Sequence, residues 1–295
     1  MTQANGFALN IIGERINPGF KSTRALFDNE DIAGIQTLAV KQAEAGAAYL
    51  NVNIGARALT DVDFMARVIR AIQDVVAVPL SFDFPSKAVQ EVCLATYDPA
   101  RAGGRLPIVN SITEHRWDLM ELYGKYKFKV ILMASERVVD GVAKGNKTAD
   151  EIYSTAKRAA LRLQRDYGMP LDDIYIDMSV SAIIADTEAL NRSTLDAIRM
   201  IGADPELKGV HMMGGLSNVG QQLPPKAADG SDLKHCLENA FLTLAVPCGF
   251  DTVLGTPWRG YAPLPEDHYV LATYRNFLEQ SGTNALRAVR KFYRA

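Results

Sequence analysis

Short runs of β-branched and apolar residues alternate with longer amphipathic stretches of helical period along the chain, and this alternation constrains the fold most strongly. Eight strands are predicted, at Leu9–Gly13, Ala48–Asn53, Pro79–Asp83, Pro107–Asn110, Lys129–Met133, Ile174–Asp177, Gly209–Met212 and Thr252–Leu254. Parallel strands need long crossovers, which are usually helical, so regular alternation favours a parallel sheet. Eight such units predict an α/β protein with a closed (β/α)8 TIM barrel.

The stretches between the strands carry helix signals. Helices are predicted near Asp31–Glu44, Asp61–Val76, Ser86–Thr96, Arg116–Tyr123, Thr148–Tyr167, Thr187–Gly202 and Leu233–Val246, and from Glu266 onward. Thr148 with Glu151 has the spacing of a capping box, and Thr187 is expected to open its helix. We find no linker or break in composition, so residues 1–295 are predicted to form a single domain.

Two connections are long, residues 135–147 and residues 214–231, and long loops in a compact barrel are usually functional. The second begins with Gly214 and Gly215, which either permit a close backbone approach or form a simple turn.

Composition excludes several classes of partner. The chain has 32 Lys and Arg against 34 Asp and Glu, a net charge of −2, so we expect neither nucleic acid nor an anionic membrane as a partner. The sequence has no apolar run of about 18 residues and no signal-like N-terminus, and we therefore expect a cytoplasmic protein without a membrane span. Three scattered cysteines, Cys93, Cys236 and Cys248, are expected to be reduced, small buried residues rather than metal ligands.

Polar residues close nearly every predicted strand. In strand order they are Glu14, Arg15 and Asn17; Asn51 and Asn53; Asp83; Asn110 and Ser111; Asp177; and Ser217, Asn218, Gln221 and Gln222. A single Asp or Asn in such a position is usually a helix cap or turn residue. Because parallel barrels carry their active sites at the carboxyl ends of the strands, agreement across so many ends predicts one site there.

The chemical types of these side chains limit the class of ligand that the site can bind. Carboxylates and amides without a His cluster or a Ser–His pair make neither a metal site nor a nucleophile site, so no metal is expected on this chain. An ionised Asp accepts two N–H bonds from a 2-amino-pyrimidinone, and Asn amides both donate and accept. The set therefore suits a flat heterocycle such as a pterin.

The strings GERIN, LNVNIG, SFDFPS, VNSI, YIDM and GLSNVGQ resemble the pterin-binding domain of methyltetrahydrofolate:corrinoid protein methyltransferases over essentially the whole chain. That group resembles dihydropteroate synthase in fold and includes the folate module of cobalamin-dependent methionine synthase. The resemblance implies a pterin-binding type of TIM barrel.

The resemblance also implies roles for individual residues. Asp83, Asn110 and Asp177 match positions that hydrogen-bond the pterin ring, and Asn218 matches the catalytic asparagine that reaches N5. The remaining expected pterin contacts are Glu14, Asn51, Ser111 and Gln222, with Gln221 as the alternative to Gln222. The family usually has Asp where this chain has Asn51, so the contribution of that carboxylate is either absent here or supplied by Glu14.

The implied substrate is tetrahydrofolate or 5-methyltetrahydrofolate, and a separate corrinoid protein would bring the cobalt to the rim. A homodimer is implied too, while the direction of transfer and a methanopterin-type substrate stay open. Two alternatives remain. A dihydropteroate synthase would need cations for a diphosphate, and only Arg259 lies in the corresponding stretches; a non-catalytic pterin-binding module would use the same ring contacts.

Overall fold

The computed structural model describes residues 6–294 and confirms the TIM barrel. Within these residues, ten strands are formed: β1 Asn10–Ile16, β2 Tyr49–Val52, β3 Leu80–Asp83, β4 Ile108–Ile112, β5 Lys129–Met133, β6 Glu136–Val139, β7 Val142–Gly145, β8 Ile174–Asp177, β9 His211–Gly215 and β10 Phe250–Gly255. Eight of them pair in parallel and close a barrel in the order β1-β2-β3-β4-β5-β8-β9-β10. The barrel closes because β10 pairs with β1, with Ile12 opposite Leu254.

Helices surround the barrel in the crossovers. They are α1 Lys21–Asp28, α2 Ile32–Glu44, α3 Val62–Val75, α4 Lys87–Thr96, α5 Ala149–Tyr167, α6 Leu190–Ala203, α7 Leu233–Ala245, α8 Tyr269–Leu278 and α9 Gly282–Arg290. Between β4 and β5 the expected α-helix is instead a 3₁₀ helix, Trp117–Gly124. Its buried side chains, Leu119 with Leu122 and Met120 with Tyr123, are three residues apart, which fits three residues per turn.

The long connection at residues 135–147 is not an open loop. Strands β6 and β7 pair there as an antiparallel hairpin. Asp140 and Gly141 form the turn with left-handed backbones, φ 52° and 77°. Asp-Gly between short valine runs is a two-residue hairpin signal, and it explains the difference from the expected loop.

Helix caps explain where two helices begin. The capping box of Thr148 and Glu151 is confirmed at the start of α5. Helix α6 begins at Leu190 rather than Thr187, because the Asp186 carboxylate accepts the backbone N–H groups of Leu190 (2.7 Å) and Asn191 (2.9 Å).

The barrel interior is filled by an apolar layer. It consists of Ile12, Tyr49, Ile108, Ile131, Tyr175 and Met213. Side chains two residues apart on a strand point to the same face. The next inward-facing positions toward the carboxyl ends are therefore Glu14, Asn51, Asn110, Met133, Asp177 and Gly215. Strand geometry thus places a mostly polar layer directly above an apolar one.

The three cysteines are unpaired but lie at different depths. Cys93 and Cys236 are buried, Cys248 is only half-buried, contrary to expectation, and all three thiols are free.

None of the helices between residues 6 and 294 is both long enough and apolar enough to cross a membrane.

At the opposite, amino-terminal end of the barrel, His211 lies between two acidic side chains. Its Nδ1 is 2.6 Å from Asp251 Oδ2, its Nε2 is 3.4 Å from Asp172 Oδ1, and its ring stacks on Tyr175. Burial disfavours the imidazolium and Lys129 opposes it, but the hydrogen bond to Asp251 and the charges of both acids outweigh these effects. The pKa of His211 is therefore raised above 6.5.

We predict that His211→Gln destabilises the protein more at pH 6 than at pH 9. A raised histidine pKa contributes stability that is present below the unfolded value and is lost as pH rises through the folded value. Losing a charge-assisted hydrogen bond should cost about 1.5 kcal/mol or more at pH 6. Urea unfolding at both pH values measures it, with His115→Gln, at an exposed position 3.6 Å from Glu136, as control. An equal loss at both pH values would contradict this account.

Candidate functional site

A hydrogen-bonded network joins the carboxyl ends of β2, β3 and β4. Asn51 Nδ2 donates to Asp83 Oδ2 at 3.1 Å, while Asn51 Oδ1 accepts from Ser81 Oγ at 3.1 Å and from Asn110 Nδ2 at 3.3 Å. Asn53 Nδ2 donates to the same Asp83 oxygen at 3.2 Å. Sequence-predicted residues on three neighbouring strands are thereby held as one unit.

Asn51 is the centre of this network and is almost fully buried. Its amide both donates to a carboxylate and accepts from two donors, a combination that an ionised Asp does not offer. An Asp at this position would face Asp83 across a hydrogen-bond distance. Asn51, at a position where the resemblance led us to expect Asp, therefore keeps Asp83 in place through a neutral donor.

Asp177 closes β8 on the other side of β5. Its Oδ1 accepts the backbone N–H of Ser179 at 2.7 Å, and Ser179 has a left-handed backbone with φ 51°. Burial raises the pKa of Asp177 to about 6, the Ser179 hydrogen bond opposes the rise, and the charge of Asp83 adds to it. Two carboxylates thus face a shared space, and one of them titrates just below neutral pH.

Asn218 follows β9 in a short 3₁₀ turn, Leu216–Asn218. Gln221 Nε2 donates to Asn218 Oδ1 at 2.6 Å, which leaves Asn218 Nδ2 as the free donor of that amide. A Cβ on Gly215 would lie 3.3 Å from Asn218 Nδ2, so the amide sits over an inward-facing position of β9. The side chain is oriented as a donor toward the barrel mouth.

The two glycines that precede Asn218 belong to the strand rather than to a turn. A Cβ on Gly214 would come within 2.7 Å of Val180 Cγ2. Gly214 therefore permits the close approach of β9 to the segment after β8. Strand β9 consequently extends to Gly215, beyond the predicted end at Met212.

Glu14, on β1, lies beside β10 and the Asn218 turn, and only 8% of its surface is exposed. Its Oε1 accepts from Thr256 Oγ1 at 3.2 Å and its Oε2 from Ser217 Oγ at 3.4 Å. Burial raises the pKa of Glu14 to about 7; the Thr256 hydrogen bond opposes this, Glu238 adds to it, and Arg15 and the Ser217 hydrogen bond oppose it. This carboxyl can hold or release a proton near neutral pH.

The structure places the other predicted residues less centrally. Ser111 is buried and its Oγ accepts from Arg116 Nη2 at 3.3 Å. Gln222 is exposed with a left-handed φ of 61°, and it is Gln221 that contacts Asn218. Asn17 accepts the backbone N–H of Gly19, and Arg15 donates to Ser22, so both serve the β1–α1 connection.

Sequence reasoning missed Met133, Arg116 and Thr256 at the rim. Met133 occupies the inward position at the end of β5, between Asn110 and Asp177 in strand order, but a search for polar strand ends passes over it. Arg116 Nη2 lies 3.5 Å from Met133 Sδ. An apolar, polarisable side chain suits the face of a flat ring, and the period of two on β5 was the signal that could have identified it.

The polar groups fall on two sides of the barrel mouth. Asn51, Asp83, Asn110 and Asp177 belong to β2, β3, β4 and β8, whereas Glu14, Thr256 and Asn218 belong to β1 and to the segments that follow β10 and β9. Within residues 6–294, no group of three or more His, Cys, Asp and Glu is arranged to hold a metal ion. Such a mouth can bind a planar heterocycle by its edge on one side and direct a donor and an acid at its other side.

Comparison with known proteins assigns this geometry to a family. Residues 14–254 match the family described as pterin binding enzymes. The chain belongs to this family of pterin-binding enzymes. The match begins at Glu14 and ends at the last residue before Gly255, and so spans the barrel from β1 to β10.

Individual relatives give a similar picture. The chain is 25% identical over 256 residues to a methylcorrinoid:tetrahydrofolate methyltransferase of Eubacterium limosum, and the match covers 84% of each protein. Dihydropteroate synthases share the fold. That of Clostridium difficile matches with a TM-score of 0.56 at 18% identity over 100% of both chains. That of Coxiella burnetii matches with a TM-score of 0.58 at 17% identity over 98% of this chain and 94% of the other.

We predict that Asn51→Asp destabilises the protein at pH 8 and that the loss shrinks toward pH 5. Two carboxylates within hydrogen-bond distance raise the pKa of the pair on folding, so the penalty is present above that pKa and disappears as the pair takes up a proton. We expect a loss of about 1 to 3 kcal/mol at pH 8. Asn53→Asp faces the same Asp83 oxygen from a half-buried position and should lose less. Denaturant unfolding between pH 5 and pH 8 measures the loss of stability. A loss that did not depend on pH in either variant would refute the network.

Proposed function

We propose that this enzyme transfers a methyl group between N5 of tetrahydrofolate and the cobalt of a corrinoid carried by a separate protein. The observation that carries the proposal is the Asn218 amide, oriented by Gln221 as a donor over Gly215 and across the barrel mouth from Asp83 on β3. The name of the Eubacterium limosum relative supports both the folate and the corrinoid.

The ring of the pterin would lie across the mouth. Asp83 and Asp177 accept the N–H groups of its pyrimidine edge, and Asn110 supplies an amide beside them. Met133 contacts the ring face. Because Asn51 and Asn53 already donate to one oxygen of Asp83, the other oxygen is available to the ligand. This binding mode directs the pyrazine half, with N5, toward Asn218.

Chemistry at N5 requires control of a proton. An N5–methyl bond is hard to break because the departing nitrogen is a poor leaving group, and a hydrogen bond to N5 that strengthens as the nitrogen gains electron density lowers that barrier. An amide does not ionise usefully, so Asn218 acts as an oriented donor rather than as an acid. Its preorganisation by Gln221 is what makes such a donor effective.

The relative's name has a methylcorrinoid as donor, which supports transfer toward tetrahydrofolate as the direction in this chain too. The corrinoid protein would dock over the mouth, where the hairpin β6–β7 and residues 214–231 follow β5 and β9. We also propose that the whole chain acts as one pterin-binding domain, because the match covers 84% of the relative.

A dihydropteroate synthase reaction has less support. It requires cations for a diphosphate, and Arg259 is already engaged, with its Nε 2.9 Å from the buried Glu238 Oε2. A cation paired with a buried carboxylate is a weak anion site. The likeness to dihydropteroate synthases concerns the fold.

Single-turnover transfer tests the function directly. The purified chain is mixed anaerobically with methylcob(III)alamin and tetrahydrofolate, and formation of cob(I)alamin and 5-methyltetrahydrofolate is followed by absorbance and chromatography. Transfer that is first order in enzyme supports the proposal. Tight folate binding without transfer to or from either free cobalamin or a reconstituted corrinoid protein would leave a non-catalytic module.

We predict that Asp177→Asn weakens tetrahydrofolate binding by about 1 to 3 kcal/mol at pH 7.5, because a ligand N–H loses an ionised acceptor. Wild-type affinity should also fall as the pH drops below about 6, where Asp177 takes up a proton, and this fall should vanish in the variant. Anaerobic calorimetry measures both, with the exposed Asp196→Asn as control. Unchanged affinity at pH 7.5 would remove Asp177 from the pterin site.

We predict that Asn218→Ala lowers kcat on the order of a hundredfold while changing KM little, since one preorganised donor to the transition state is lost. Gln221→Ala should lose less, because the amide remains but is no longer held. The exposed Lys208→Ala, just before β9 at the opposite end of the barrel, serves as control. Stopped-flow rates against folate concentration separate the two constants. A raised KM with an unchanged kcat would reduce Asn218 to a binding residue.

A further inference from the structure

Glu14 contacts the turn that carries Asn218, the residue proposed to reach N5. Ser217, whose hydroxyl bonds Glu14 Oε2, directly precedes Asn218. Thr256 holds the other oxygen from the end of β10. Both partners are hydroxyls, which can donate to a carboxylate or accept from a carboxylic acid, so the site accommodates either protonation state of Glu14.

A second buried carboxylate lies behind Glu14. Glu238 on α7 is 4% exposed, and its Oε2 is 2.9 Å from Arg259 Nε and 3.9 Å from His235 Nδ1. Its negative charge is one cause of the raised pKa of Glu14. The groups that act on Glu14 and bear or can bear a charge are Arg15 on β1, Glu238 on α7 and Tyr261 after β10. His235 and Arg259 lie beside Glu238 and act on Glu14 through it.

We propose that Glu14 is the residue that exchanges a proton with N5 during methyl transfer, and that Glu238 with Arg259 tunes it from behind. This inference rests on the proposed function. Asn51, at the other edge of the mouth, is an amide and carries no titratable proton. Asp83 and Asp177 are assigned to the other edge of the ring.

The proton balance follows from this placement. When tetrahydrofolate accepts the methyl group, the N5 lone pair forms the N–C bond and the Co–C bond breaks with its electron pair remaining on cobalt as Co(I). The proton of N5 passes to the Glu14 carboxylate. In reverse, the Co(I) electron pair forms the Co–C bond, the C–N5 pair stays on nitrogen, and N5 takes the proton from the Glu14 carboxyl.

The test compares Glu14→Gln with wild type in both directions between pH 5.5 and 8.5, with methylcob(III)alamin and tetrahydrofolate or cob(I)alamin and 5-methyltetrahydrofolate. Wild-type transfer to folate should rise with pH through about 7, and transfer from folate should fall. Glu14→Gln keeps the shape and hydrogen-bonding groups, so we expect folate affinity within about threefold but both rates lowered on the order of a hundredfold and flat with pH.

Two further variants keep the proposal testable. Glu238→Gln removes a like charge and releases Arg259, so the midpoint of the wild-type pH profile should move to lower pH. The exposed Glu266→Gln is the matched control, and its midpoint should not move. Wild-type rates and pH profile in Glu14→Gln, or an unmoved midpoint in a folded Glu238→Gln, would overturn the assignment of Glu14 while leaving the function intact. Inactive wild type would instead contradict the function.

Discussion

The hydrogen bonds around Asn51 are the interaction on which the barrel mouth depends. A polar layer buried above an apolar one is costly unless its groups satisfy each other. Asn51 joins Ser81, Asp83 and Asn110 across three strands through one amide, and it does so without adding a charge beside Asp83. The buried Asp83 carboxylate is thereby stabilised and held in one orientation. The edge of a pterin can then replace the solvent that remains beside it.

The rest of the mouth follows from the order of the strands. Barrel closure sets Glu14, Thr256 and the Asn218 turn side by side, because β1, β10 and β9 are neighbours, and it places them opposite β3, β4 and β5. In the binding mode that we propose, a bicyclic ligand held at its pyrimidine edge presents its other half to an oriented amide and to a carboxyl with a pKa of about 7. On this proposal, the strand order places the groups that recognise the ring and the groups that handle the proton on different strands.

Much of this was predictable from the sequence for physical reasons. Alternating periods of 2 and 3.6 indicate strands and helices, and a parallel barrel brings strand ends together, so Asp83, Asn110 and Asp177 could be proposed as neighbours. The role of Asn51 at the centre of the hydrogen-bond network could not be predicted, because it depends on which donors meet across strands. The difference between Gln221 and Gln222 also depends on a local turn, with φ 61° at Gln222, that no periodicity reports.

Other features could not be predicted from the sequence, because they depend on tertiary contacts or because their local signal was outweighed by another one. Met133 closes a strand with an apolar side chain and so does not stand out among polar ends. Glu238 lies on α7, far along the chain from Glu14, and only the fold brings its charge to bear on that carboxyl. The Asp-Gly turn of the hairpin β6–β7 is a signal that the sequence itself carries, although the length of this connection favours a loop.

The central claim is that the polar mouth holds the pterin ring with N5 at Asn218. An experimental structure of the complex with tetrahydrofolate tests it most directly. The account predicts the pyrimidine edge within about 3 Å of Asp83 and Asp177, and N5 within hydrogen-bond distance of Asn218 Nδ2. A ring bound away from these carboxylates, or bound in the mouth with N5 turned from Asn218, would contradict it.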